Sequence, residues 1–169
     1  MEQLQSIRDL SQMGRHAEAE SAARALLATL PQAGETVFLL ANAIHQQGRL
    51  EEAIPQYELA LRYTPMHPSA LNNLGTILRQ FGRTEEALVR FRQASVADPG
   101  KPWIWSNYAS ALEDLGHTKE ALESLRRAAA LAPEETVLQD RLIALANGPE
   151  TAEDHIDRAA ATEAMWRLN

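Results

Sequence analysis

Five histidines, a set of paired carboxylates and two adjacent asparagines are the residues of this chain with chemistry to offer. The histidines are His16, His45, His67, His117 and His155. A helical metal site needs two histidines four residues apart and a carboxylate to complete the set. No pair here has that spacing, and the histidines read as structural or solvated. There is no cysteine, which excludes a thiolate metal site, a cysteine nucleophile and a disulfide framework. The glycines stand apart from one another, so no phosphate-cradling loop is present, and no serine-nucleophile motif occurs. Glu51–Glu52 and Glu85–Glu86 look like carboxylate pairs, but adjacent residues of a helix point to different sides. Neither a metal nor a cofactor is expected, and the chain reads as non-catalytic. The asparagines Asn72 and Asn73, in "ALNNLGTILRQFGRTEEAL", are different. An amide both donates and accepts, so it can pair with the backbone of another chain without reading its side chains.

The elements that position these residues repeat. "MGRHAEAE", "QGRLEEAI", "FGRTEEAL" and "LGHTKEAL" align on Gly14, Gly48, Gly82 and Gly116, each recurring after about 34 residues. An alanine follows each glycine at one fixed distance (Ala19, Ala53, Ala87, Ala121), and a proline at another (Pro31, Pro65, Pro99, Pro133). Each column has a physical reason. The glycine ends a helix in a left-handed conformation that a Cβ would strain. The alanine allows two helices to cross closely. The proline stops the second helix and sets the entry of the next. Thr84 and Thr118 are expected to cap the second helices, and Glu51 and Glu85 fall in first turns, where the helix dipole favours negative charge.

Apolar spacing agrees. Leu71, Leu74 and Leu78 form one helical stripe, followed by Ala87, Leu88, Phe91 and Ala94. Val37, Leu40 and Ile44 precede Ala53, Ile54, Tyr57 and Ala60. Trp105, Tyr108 and Leu112 precede Ala121, Leu122, Leu125 and Ala128. Each unit is a helix, a short turn and an antiparallel helix. Pro55 sits inside one such helix, where it removes a donor and opens the start of the helix to a kink.

The bulk composition is consistent with this. The 169 residues are 45% hydrophobic but only 5% aromatic, mostly alanine and leucine, which favours helix over sheet. The formal net charge of −7 argues against nucleic acid, which requires a basic stripe. The beginning of the sequence shows no secretory pattern, and no window is long and apolar enough for a membrane span. A cytoplasmic protein with no membrane partner is expected.

On this glycine, alanine and proline register the chain resembles the tetratricopeptide repeat family. The resemblance covers residues 1–135 as four units (about 1–33, 34–67, 68–101 and 102–135). It implies an all-α fold, a right-handed α-solenoid of stacked antiparallel helix pairs. Gly75 shares a column with Ala41 and Ala109, where the family prefers a small residue. The first copy departs, with Ile7 in the small column and Ala23 in the aromatic one, as expected of a terminal copy. Residues 136–169 lack the register. "TVLQDRLIALAN" reads as one more first helix, with Val137, Leu138, Leu142 and Leu145 on its apolar side. With the segment after "NGP" it is expected to form a capping helix pair; the alternative is a junction to a further domain.

The resemblance also implies a concave groove lined by the first helix of each pair. Its candidates are Glu35, Phe38, Leu39, Asn42, His45 and Gln46 in the second copy and Ser69, Asn72, Asn73, Thr76, Arg79 and Gln80 in the third. In the fourth they are Trp103, Ser106, Asn107, Ser110, Glu113 and Asp114, and Asp140, Arg141 and Ala144 follow. Asn73 and Asn107 share a column. They are similar to the asparagine ladder in the tetratricopeptide arm of O-linked N-acetylglucosamine transferases, which implies an extended peptide held along the groove. The same column carries Gln5, Leu39 and Arg141 elsewhere, so two rungs match. A carboxylate clamp is not expected: the groove face has no lysine, and Glu113 and Asp114 would repel a carboxylate. Trp105 matches a core column. Trp103 is an interface anchor or packs on the preceding repeat.

These features point to a protein-interaction scaffold, monomeric or weakly self-associating, that binds an extended peptide or helix of a protein partner. The alternatives are a non-catalytic recruiting arm of a larger enzyme such as a glycosyltransferase, and a self-assembly module.

Overall fold

A computed structural model describes residues 2–148. Within them every regular element is an α-helix, and the chain forms two compact units that divide between Ala97 and Asp98. The first unit contains α1 (Glu2–Gln12), α2 (His16–Thr29), α3 (Gly34–Gln46), α4 (Leu50–Tyr63), α5 (Pro68–Gln80) and α6 (Thr84–Ala97). They pack as the pairs α1/α2, α3/α4 and α5/α6, with α2 lying on α3 and α4 on α5. The second unit contains α7 (Pro102–Asp114), α8 (Thr118–Leu131) and α9 (Thr136–Ala146), packed in sequence. The expected helix after "NGP" lies outside the described residues.

The turns follow from the glycine column. Gly14, Gly48, Gly82 and Gly116 all have φ between 73° and 77°, which an L side chain rarely adopts. Each glycine N–H returns to the carbonyl three residues back, and the next residue's N–H returns to the carbonyl five back, as Arg83 does to Leu78 at 2.9 Å. That next residue, rather than a threonine, holds the N-cap position of the second helix. The N–H of Ala87 bonds to the carbonyl of Arg83, and that of Ala121 to the carbonyl of His117. Thr84 and Thr118 are therefore the first helical residues and not the caps. A cation at a helix start opposes the dipole. It is offset by a glutamate one turn on: Arg15–Glu18 at 2.6 Å, Arg49–Glu52, and Arg83–Glu86 at 2.6 Å.

The helix crossings are set by two facing columns. In the third pair the small residue is Gly75, and a Cβ there would lie 2.9 Å from the ring of Phe91. Ala41 with Tyr57, and Ala109 with Leu125, occupy the same columns, all buried. In the first pair the sizes are exchanged: Ile7 on α1 and Ala23 on α2, again both buried. The column total, not either residue alone, keeps the crossing filled. Gln3 and Ser6 of α1 are exposed where the same columns of α3 and α5 carry the buried Val37, Leu40, Leu71 and Leu74. That polar outer face suits a terminal copy. Pro55 is accommodated within α4, which has the same 14 residues as α2 and α6.

On α9, Leu138 is buried against Trp105, Ala128, Ala129 and Ala132, with Leu142 beside it. Val137, expected on the apolar side, is instead 68% exposed, and so is Ile143 at 58%. Neighbouring positions of a helix diverge by about a hundred degrees, so Leu138 and Val137 cannot both face α8.

Candidate functional site

Within the first unit the candidate residues of α3 and α5 form one hydrogen-bonded patch. Its centre is a side chain from the other layer, the hydroxyl of Tyr57 on α4. Asn73 Nδ2 donates to this hydroxyl at 3.1 Å and also to Asn42 Oδ1 at 3.5 Å. His45 Nδ1 lies 3.1 Å from the same hydroxyl, with its ring edge-on to the Tyr57 ring. Burial pushes the Tyr57 phenol up and pulls His45 down, so both are neutral at pH 7. Asn73 Oδ1 in turn accepts from Asn72 Nδ2 at 3.3 Å. Thr76, one turn along α5, donates its hydroxyl to the carbonyl of Asn72.

A second cluster adjoins the first. Phe38 stacks on His67 with ring centroids 4.2 Å apart and stands 6.2 Å from Tyr57. His67 is structural on both edges. Its Nδ1 accepts from the Ala70 N–H and so caps α5, while Nε2 donates to Glu35 at 3.2 Å. The capping bond requires an unprotonated Nδ1, which places the ring hydrogen on Nε2. Glu35 is also held by Arg8 of α1 at 2.8 Å. The His67 hydrogen bond first, then Arg8, hold the Glu35 carboxyl down at about 2 against its burial. Arg8 of α1, Glu35 of α3 and His67 at the N-cap of α5 thus link three successive first helices along one face.

Sequence reasoning missed Arg8, Tyr57 and His67 as members of this face. Tyr57 was hidden because its column is a packing column. Its one signal was the hydroxyl itself, present in a column otherwise filled by Ala23, Phe91 and Leu125. Two expectations are corrected. Asn72 is 5% exposed, turned inward beside Asn73 rather than presented to solvent, and Leu39 is buried as well. Asn73 spends its donors on Asn42 and Tyr57, so it bridges adjacent repeats inside the unit. Phe38, Asn42, His45 and Thr76 remain partly accessible, and Arg79 and Gln80 are exposed at the end of α5.

In the second unit one arginine gathers the candidates of α7. Arg141 of α9 donates to the hydroxyls of Ser106 at 2.9 Å and Ser110 at 3.0 Å, and pairs with Glu113 at 2.7 Å. Arg141 is therefore a tie between α9 and α7 and is not a spare cation for a ligand. Asn107 is partly buried on the same helix. Trp105 is core, as expected: its Nε1 donates to the Pro99 carbonyl at 2.8 Å, and Arg127 lies 4.7 Å over its ring. Trp103 is 40% exposed at the start of α7. Among the described residues no group of three histidine, aspartate or glutamate side chains could hold a metal ion. No described helix is long and apolar enough to cross a membrane.

Family models of the tetratricopeptide repeat match residues 4–62, 51–102 and 78–146. The chain belongs to the tetratricopeptide repeat family. No curated protein sequence matches it. Solved tetratricopeptide structures share its fold at low identity. MamA from Desulfovibrio magneticus RS-1 aligns over 100% of this chain and 98% of its own, at 17% identity and TM-score 0.75. TTC0263 from Thermus thermophilus aligns over 85% of this chain and 79% of its own, at 21% identity and TM-score 0.68. YrrB, described as a tetratricopeptide protein with an unusual peptide-binding site, aligns over 88% of this chain and 77% of its own, at 17% identity and TM-score 0.73. The nine helices of the described residues are thus tetratricopeptide helix pairs plus one further first helix. Family membership makes this chain, in general terms, a protein-interaction module.

Proposed function

We propose that this tetratricopeptide protein is a non-catalytic scaffold that binds an extended peptide of a protein partner across the α1–α3–α5 face. The observation that carries the reading is the Asn42–Asn73–Tyr57–His45 patch beside Phe38. Partly accessible amides and an imidazole offer directed hydrogen bonds to a backbone, and the adjoining aromatic ring offers an apolar contact. Fully buried polar groups of this kind would serve packing alone; Asn42, His45 and Asn73 are partly exposed. Peptide binding by YrrB is a precedent on the same fold at 17% identity.

The test is selection of octapeptides from a random display library on the full chain, followed by affinity measurement. Asn42→Ala and Phe38→Ala are expected to weaken a selected peptide about tenfold each, the loss of one interaction of roughly 1.4 kcal/mol. Val89→Ala, on an exposed position of α6, is expected to leave it unchanged. Retention of affinity in both face variants would refute the assignment.

A further inference from the structure

Tyr57 lies in a column where Ala23, Phe91 and Leu125 suffice in the other copies. Phe91 shows that a six-membered ring without a hydroxyl packs there. The Tyr57 ring is fully buried on α4, yet its oxygen emerges between α3 and α5 to meet Asn73 and His45, each at 3.1 Å. A phenol has one hydrogen to give. The Asn73 amide nitrogen is itself a donor to this oxygen, so the phenol hydrogen goes to His45 Nδ1. The imidazole hydrogen must then sit on Nε2. His45 Nε2 is not among the buried atoms left without a partner and has no bond to the protein, so it opens to solvent. The Asn42 carbonyl oxygen is held by Asn73, and its amide nitrogen, with no bond to the protein and not among the buried atoms left without a partner, opens to solvent as well.

We infer that Tyr57 is a positioning residue for the peptide site: its buried hydroxyl locks His45 and Asn73 so that His45 Nε2–H and the Asn42 amide N–H are held out to carbonyl oxygens of the bound peptide. The ligand half rests on the peptide-binding reading above; the lock rests on the geometry alone. Donors fixed in this way lose little side-chain freedom on binding. They also reject nothing about peptide sequence, since every residue offers a carbonyl.

The experiment combines nitrogen-15 ring spectra of His45 at neutral pH with the affinity of an octapeptide selected by the full wild-type chain. The wild type is expected to show its proton on Nε2 and a hydrogen-bonded acceptor at Nδ1. In Tyr57→Phe that acceptor signature disappears and Kd rises about fivefold, the worth of one hydrogen bond, with helix content unchanged. His45→Asn keeps an acceptor near Nδ1 but has no donor near Nε2, and is expected to lose about as much. His45→Gln keeps a donor near Nε2 but has no acceptor for the phenol, so its donor is unlocked and a loss of about the size seen in Tyr57→Phe is expected. A proton found on Nδ1 overturns the lock, and an unchanged Kd in Tyr57→Phe overturns its role in positioning the peptide donors. If the wild type has the expected tautomer but no peptide depends on Asn42 or Phe38, the peptide reading and the ligand half fall while the lock stands.

Discussion

Gly75→Ala probes the crossing of α5 and α6. The added Cβ would lie 2.9 Å, 3.0 Å and 3.1 Å from Cε1, Cζ and Cδ1 of Phe91. Carbon atoms rest about 3.5–4.0 Å apart, so the ring has to retreat by roughly half an ångström. Phe91 is fully buried and meets the new methyl with three ring atoms at once, so no flexible end can swing away. Overpacking of this kind costs about 1–3 kcal/mol. Against that, alanine gains up to about 1 kcal/mol over glycine in a helix interior. The net expectation is a destabilisation of roughly 0–2 kcal/mol. Ala41 facing Tyr57 in the second copy, both fully buried, shows why the upper end is modest: the same column admits a methyl against a ring. The decisive measurement is a double-mutant cycle with Phe91→Leu, the pairing already present as Ala109 and Leu125. Without the ring, the alanine keeps its helix gain and loses its clash. Gly75→Ala should then stabilise by about 1 kcal/mol, a reversal of sign and a coupling of about 1–3 kcal/mol. Urea unfolding of the four proteins at constant m-value reads this directly. Equal effects of Gly75→Ala in the two backgrounds, within about 0.5 kcal/mol, would refute the close crossing.

Three further outcomes are expected. Gly48→Ala forces a left-handed φ of 77° on a residue with nothing within 4 Å of its Cβ, so the loss is purely conformational. It should be about 1–2 kcal/mol in thermal or urea unfolding, and smaller in Gly48→Asn. Glu35 has a carboxyl lowered in the fold, so its stabilisation is present above its ordinary value of 4.5 and is lost as pH falls toward about 2. The pair is over one-third exposed and solvent-screened, so Glu35→Gln should flatten the acid limb of stability by no more than about 1 kcal/mol, measured from urea midpoints between those pH values. Arg141→Ala removes three side-chain contacts that tie α9 to α7. Amide hydrogen exchange in α9 should quicken about five- to tenfold, while α3 and α5 are unaffected.

The helix pairs of the four copies, the turns and the crossings were legible because each depends on spacing along one chain. A positive-φ glycine, a close-packed alanine and a proline stop recur at fixed distances, and every copy must meet the same steric demand. The candidate face was only half legible. Position on a helix tells which residues lie near it, but Asn72 and Asn73 straddle its edge, and a turn of about a hundred degrees sends one inward and leaves the other at the surface. Val137 and Leu138 divide in the same manner on α9. Thr84 and Thr118 misled because a good capping residue stood one place beyond a basic residue that the glycine turn had already committed to the N-cap position.

The sequence by itself therefore determined the architecture: the tetratricopeptide pairs, their turns, and the exchange of size between Ile7 and Ala23. It could do so because backbone conformation and helix separation are set by local residue size and periodicity. Tertiary structure alone decided which polar groups are spent and which remain. Asn73 is consumed by Asn42 and Tyr57, Arg141 by Ser106, Ser110 and Glu113, and Glu35 by Arg8 and His67. Those pairings join residues 16 to 35 apart in sequence, and a hydrogen bond depends on ångström distances that only the packed helices establish.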